Sequence, residues 1–228
     1  MTDKSDNIIA IDGPAGAGKS TVARRVAVET GFAFLDTGAM YRAVTLRAMR
    51  LGVDMNDSEA MARVAVEASI ELKWTGTGTR VYLDGDEVTD EIRTPEVTDR
   101  IYLADQVPEV RAELVRRQQA FGVEGRVVAE GRDIGTVVYT RARCKIYMVA
   151  SIDVRAERRY AELIERGIKA NLDEVKRSIA ERDKKTMTRA VAPLRPAEDA
   201  VRLDTTNLSI DEVVAAIMRT ARERGVVW

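Results

Sequence analysis

Residues 7–21 constrain the fold more than any other stretch of the chain. Ile8 to Ile11 is a short apolar, β-branched run, the composition of a buried parallel strand. It leads into Gly13, Pro14, Ala15, Gly16, Ala17, Gly18, Lys19, Ser20 and Thr21, whose first eight positions satisfy G-x-x-x-x-G-K-[ST]. Beyond Lys19, the pairs Val22/Val26 and Ala23/Ala27 recur four residues apart, as on one helix face. Strand, glycine loop and helix therefore follow in a fixed order. A polyphosphate must lie against backbone N–H groups, so such a loop cannot carry large side chains. The helix starting near Lys19 points its positive end at the phosphates. Lys19 is expected to reach the β- and γ-phosphates, and the Ser20 hydroxyl to ligate Mg²⁺. The loop does not by itself separate a kinase from a GTPase switch or a motor.

The rest of the chain alternates strands and helices. Phe32 to Leu35 is a second apolar run, ending at Asp36-Thr37-Gly38. Met40, Val44, Ala48 and Leu51 then fit one helix face, closed by Gly52. Asp57-Ser58-Glu59 opens another helix, to about Ala68. From Ile70 the pattern changes: Ile70, Leu72 and Trp74, then Val81 and Leu83, alternate with polar residues around turns at 75–78 and 84–85. This is antiparallel hairpin spelling, read as an inserted subdomain over 64–104, with an edge extension of the main sheet as the alternative. Pro95 and Pro108 sit where helices start. Arg126 to Ala129, Cys144 to Val149 and Val201 to Leu203 are further core strands, with charged helices expected over 154–166 and 172–185. Ser209 and Glu212 spell a capping box for a last helix, with Val213, Val214 and Ile217 inward. The alternation predicts an α/β fold: a mostly parallel sheet with helices on both faces.

Ligands of such sheets bind beyond the carboxyl ends of the strands. Lys19, then Tyr41-Arg42, then Gly131-Arg132-Asp133 stand there, followed by Arg155, Arg158, Arg159, Arg182 and Arg189. Cations gathered on one rim call for a polyanion between them. Arg42 and Arg132, each just past a strand, are read as phosphate ligands. Arg155, Arg158 and Arg159 share one helix, and at least one is expected to face phosphate; spacing does not choose among them. A hydroxyl acceptor wants a general base, whereas a nucleoside monophosphate is ionised at neutral pH and needs none. Many arginines and no obvious base suit transfer to a phosphate, although Asp36 or Asp133 could serve as a base.

Taken together, these segments resemble the bacterial cytidylate kinases, members of the nucleoside monophosphate kinase family. The residues that carry the resemblance are Ile11 to Ser20, Asp36 to Arg42, Glu91-Ile92-Arg93, Arg116 to Gln118 with Phe121, Glu130 to Val137, and Arg189 to Leu194. It implies a three-layer P-loop fold with a five-stranded parallel sheet, a small antiparallel insertion and a short helical lid. It divides one domain into a core (7–37, 105–157, 188–228), an acceptor-binding region (38–104) and a lid (about 158–187). It implies Mg²⁺-dependent transfer of the ATP γ-phosphoryl group to CMP or dCMP. By resemblance, Lys19, Arg132, Arg155, Arg159 and Arg182 act on the transferred group, and Arg158 lies beside ATP. Thr37, Arg42, Arg111, Arg132, Asp133, Arg182 and Arg189 hold the acceptor. Ser20, and Asp36 through water, hold the metal. A buried Asp133 carboxylate can accept from cytosine's exocyclic amine and would repel the carbonyl of uracil. Tyr102 and Thr186 depart from the small hydroxyl residue and the aspartate common in the family; weaker discrimination between ribose and deoxyribose is expected to follow.

Composition bounds the alternatives. The 228 residues are 45% hydrophobic and 32% charged, with a net charge of −1, giving no bulk attraction to nucleic acid or membrane. There is no histidine, and Cys144 is the single cysteine, so His-based catalysis and an internal disulfide are excluded. Met1–Asp6 is polar and unlike a signal peptide. A cytoplasmic monomer is expected. The rival readings are another small-molecule P-loop kinase, for uridylate, shikimate or a sugar acid, and a nucleotide-dependent switch. A GTPase should carry an Asn-Lys-x-Asp motif, and none is present.

Overall fold

The apolar runs become five strands of one parallel sheet in a computed structural model that describes residues 6–228. The segment read as unlike a leader lies, up to Ser5, outside those residues. Strands β1 (Ile8–Asp12), β2 (Ala33–Asp36), β6 (Val127–Gly131), β7 (Cys144–Val149) and β8 (Val201–Asp204) lie in the order β2-β6-β1-β7-β8. Ile9 pairs with Val128 on one side and Cys144 on the other, so β1 is central and buried throughout.

Side chains leave β1 alternately to the two faces. Ile8 and Ala10 pack with Val44, Met61 and Leu114, from α2 (Thr37–Arg50), α3 (Ser58–Glu67) and α5 (Pro108–Phe121). Ile9 and Ile11 pack with Val22, Val26, Val213 and Ile217, from α1 (Lys19–Thr30) and α8 (Ile210–Glu223). The capping box forms as spelled: the Ser209 hydroxyl accepts from Glu212 N, and Ser209 N donates to the Glu212 carboxylate. Removing a Leu114 side chain from this core would cost about 2–5 kcal/mol.

The hairpin residues form their own sheet rather than an edge of the main one. Strands β3 (Ile70–Trp74), β4 (Thr79–Leu83) and β5 (Asp86–Glu87) pair antiparallel, and Val81 and Leu83 pack on Ala39, Ala43 and Leu46 of α2. Trp74 reaches Phe34 of β2 edge-on, with ring centroids 5.5 Å apart. Helix α4 (Pro95–Asp105), started by Pro95 under a Thr94 cap, follows.

Two boundaries differ from the sequence reading. Arg126 has φ +58 and stands outside the sheet, so β6 runs on through Glu130 and Gly131. Arg132 and Asp133 are therefore the first residues past the strand. A π-helical turn, Ile134–Val138, then forms where no helix was read, because the buried Asp12 carboxylate accepts from Ile134 N and Gly135 N, both at 2.8 Å. The charged helices are α6 (Ile152–Glu165), capped by Ser151, and α7 (Leu172–Thr188), capped by Asn171. They pack on each other and, through Ala156, Val175 and Ile179, on Ala15 of the glycine loop.

Candidate active site

A cleft of about 1340 Å³ opens at the carboxyl end of β1, where the strand order turns back on itself. Its donor end is the glycine loop. Gly13 approaches so close to β7 that a Cβ there would lie 2.2 Å from the Met148 carbonyl oxygen. At Gly16, with φ +74, a Cβ would lie 2.9 Å from the Arg155 carbonyl oxygen. The first contact presses the loop onto the sheet, the second onto the start of α6. Gly18, in the left-handed conformation, ends the loop and offers no side-chain cap to α1, so the first N–H groups of the helix remain available to an anion. The loop residues Ala15 to Thr21 line the cleft; Pro14 enters through its carbonyl oxygen, which accepts from Lys19 Nζ at 2.8 Å.

Lys19 is 5% exposed, and burial with the nearby Arg132 charge pulls its ammonium well below the usual lysine range. The Ser20 hydroxyl donates to the Glu130 carboxylate, which burial and the neighbouring Asp36 push upward. Asp36 caps α2 by accepting from Ala39 N at 3.0 Å and takes Arg93 Nη2 at 3.2 Å. Hard oxygens from Ser20, Glu130 and Asp36 thus gather beside the loop. That donor set fits Mg²⁺, which favours one or two carboxylates plus substrate phosphate oxygens.

The acceptor end is a network of charges from four segments. The Asp133 carboxylate takes Arg111 Nη2 in a buried ion pair and lies 3.6 Å from Arg189 Nη2. Arg189 also reaches Asp105 at 3.4 Å and donates to the Ala192 carbonyl. The Tyr41 ring lies 5.7 Å from the Arg111 guanidinium carbon, and burial lifts its phenol well above the usual range. The Thr37 hydroxyl donates to the Glu130 carbonyl at 2.7 Å, tying the start of α2 to the end of β6.

Between the two ends stand Arg42, Arg132, Arg159 and Arg182. Among the described residues, the buried Nε of Arg42 has no hydrogen-bond partner, and Arg132 donates only to its neighbour's carbonyl, Gly131 O, at 3.2 Å. Arg182 is lowered to about 10, by burial first and then by Arg132, Arg42 and Arg159. Arg159 pairs with Glu162 at 2.7 Å, and Arg158 donates to Thr205, beyond β8. Arg158 and Arg159 line the cleft; Arg155 turns to the far side of the loop, pairing with buried Asp183 and donating to the Ala15 carbonyl at 2.9 Å. Of the two departures from the family pattern, Tyr102 lies under Lys185 Nζ at 3.8 Å, and the Thr186 hydroxyl donates back to Arg182 O at 2.8 Å.

Glu130, Asp12, Asp105 and Asp183 were not singled out from the sequence. Glu130 lies near the end of a core strand, two residues before the expected Arg132, a usable signal. Asp183 continues the four-residue row Val175, Ile179, whose members are buried. A carboxylate in line with buried residues is the mark that identifies it.

A glycine loop at the carboxyl end of a central parallel strand, an adjacent lysine and a rim of arginines, most of them without an ion-pair partner among the described residues, define a P-loop phosphotransferase. The comparisons narrow this class. The cytidylate kinase family model matches residues 9–223. A curated cytidylate kinase of Geobacillus kaustophilus is 49% identical over 216 residues, covering 95% of this chain and 96% of the relative. That of Bacillus subtilis is 46% identical over 216 residues, with the same coverage. The chain belongs to the cytidylate kinase family. Among solved structures, an uncharacterized protein from Eubacterium ventriosum matches with a TM-score of 0.51 at 10% identity, covering 95% of this chain and 98% of that one, a likeness of fold alone. No helix among the described residues is long and apolar enough to cross a membrane.

Proposed function

We propose that the protein transfers the γ-phosphoryl group of ATP to CMP or dCMP, giving ADP and CDP or dCDP. The observation that carries this reading is the buried Asp133 carboxylate, braced by Arg111 and Arg189 at the opposite end of the cleft from the glycine loop. A carboxylate has about four lone-pair positions, so after two arginines it still has an acceptor for cytosine's exocyclic amine. Uracil would present a carbonyl there, acceptor against acceptor, in a buried site.

The loop amides and Lys19 cradle the donor phosphates. Arg42 and Arg132 hold the acceptor phosphate, and Arg182 and Arg159 face the group in flight. Four guanidiniums with few internal partners disfavour the empty cleft and favour the one filled with phosphate charge, part of which passes to the departing ADP oxygen as the acceptor oxygen bonds to phosphorus. The acceptor phosphate is already ionised and needs no base, so the work of these residues is positioning and neutralisation. Mg²⁺ would supply further neutralisation when bound; Ser20, Glu130 and Asp36 are the residues that would hold it.

The test is ADP formation from ATP and Mg²⁺ without acceptor, then with CMP, dCMP, UMP, AMP and GMP in turn. Release that requires CMP or dCMP is expected. Release that requires UMP or AMP would overturn the base assignment, and release indifferent to acceptor would indicate a switch or ATPase.

A further inference from the structure

Arg182 lies in the cleft at an electrostatic disadvantage. The charges that bear on it most are those of Arg132, Arg42 and Arg159. Arg111, Arg155, Arg159 and Arg189 each have a carboxylate within ion-pair distance; among the described residues Arg182 has none. A long side chain repelled in this way would swing toward water if its helix were free to turn. The next residue prevents that. Asp183 is 7% exposed, and its Oδ1 accepts from Ala15 N at 3.1 Å. Its Oδ2 takes Arg155 Nη1, which also donates to Ala15 O at 2.9 Å, while Arg155 Nε donates to Ala150 O at 3.0 Å. Ala15 of the donor loop is thus gripped at both its N–H and its carbonyl by one buried ion pair.

We propose that Asp183 is a positioning residue for phosphoryl transfer: clamped to Ala15 and Arg155, it fixes the end of α7 to the donor loop and holds Arg182 in the cleft against three like charges. The inference rests on the phosphotransferase reading of the cleft. Two further tethers lie on the same helix end, Lys185 over the Tyr102 ring and Arg189 with Asp105 and Asp133. The segment from Asp183 to Arg189 is thereby held at three points.

A double-mutant cycle of Arg182→Ala and Asp183→Asn tests this, read in kcat for CMP-dependent ADP formation and in ATP affinity by calorimetry. Asn keeps an oxygen for Ala15 but loses the charge that holds Arg155. Asp183→Asn alone is expected to lower kcat about tenfold. Removing Arg182 should then cost less in the Asp183→Asn background than in the wild type, by up to about tenfold, because the guanidinium is already displaced. Arg155→Lys, which keeps the charge but loses the fork, should reproduce the coupling, and it replaces Asp183→Asn if that variant does not fold. Additive losses in both kcat and ATP affinity would reduce Asp183 to a structural residue and overturn the proposal. A wild-type protein that forms no ADP on adding CMP would sink the functional reading instead, and the cycle in ATP affinity would still decide this one.

Discussion

The two ends of the cleft handle charge in opposite ways. The donor end is one contiguous loop that works through backbone N–H groups, and its lysine donates a hydrogen bond to the loop's own Pro14 carbonyl. The acceptor end is assembled from α2, the end of α4, α5, the turn after β6 and the end of α7, and its charges are neutralised internally through Arg111, Asp133, Arg189 and Asp105. A backbone cradle recognises what all nucleoside triphosphates share. On the proposed function, a braced carboxylate with its arginines already satisfied would recognise one base, because any misfit strands a buried charge. Generic binding can therefore be local, whereas specificity here depends on the whole fold.

The largest effect should separate the two ends by chemistry. Lys19→Met is expected to lower kcat by about 10³ with little change in thermal midpoint, since the ammonium makes a single internal hydrogen bond. At the acceptor end, activity and stability should fall together. Asp133→Asn is expected to lower kcat/KM for CMP about 10²-fold and to narrow the gap between CMP and UMP. It should also destabilise the protein by about 3–5 kcal/mol, because Arg111 keeps a buried charge without its partner; thermal unfolding reads this. Equal stability losses in the two variants would break the comparison.

The pH dependence sharpens it. Lys19 in the free protein is held below the usual lysine range by burial, so part of it is neutral as pH rises past neutrality. Bound triphosphate places negative charge beside it and favours the ammonium. ATP binding should then take up protons, and affinity should weaken with rising pH by at most about tenfold per unit, the limit for one proton. Calorimetry in buffers of different ionisation enthalpy measures the uptake, which Lys19→Met should abolish. The smallest effect concerns the sugar. Thr186 lines the cleft but turns its hydroxyl into its own helix. Thr186→Asp is expected to raise the CMP-to-dCMP efficiency ratio by about threefold to tenfold, since a carboxylate can accept from a ribose hydroxyl. An unchanged ratio would remove the sugar from that side of the cleft.

Much of the frame was legible because its causes are local. The strand, loop and helix at 8–30, the hairpin alternation, the proline helix starts and the Ser209 capping box depend on neighbours within a few residues. Arg42, Arg132 and Asp133 could be placed on one rim because strand ends in a parallel sheet share an edge. What spacing could not decide was which arginines would remain free. Arg155, Arg158 and Arg159 share one helix, yet one braces the loop through Asp183 and the others reach the cleft. Pairings such as Arg111 with Asp133, or Ser20 with Glu130, join residues distant in the chain. The sequence by itself determined the phosphate loop, the parallel α/β frame and the inventory of charges, since those follow from short-range backbone and burial rules. Only the tertiary structure decided which charges cancel and which stay open for a substrate, because ion pairing depends on distances that long-range packing sets.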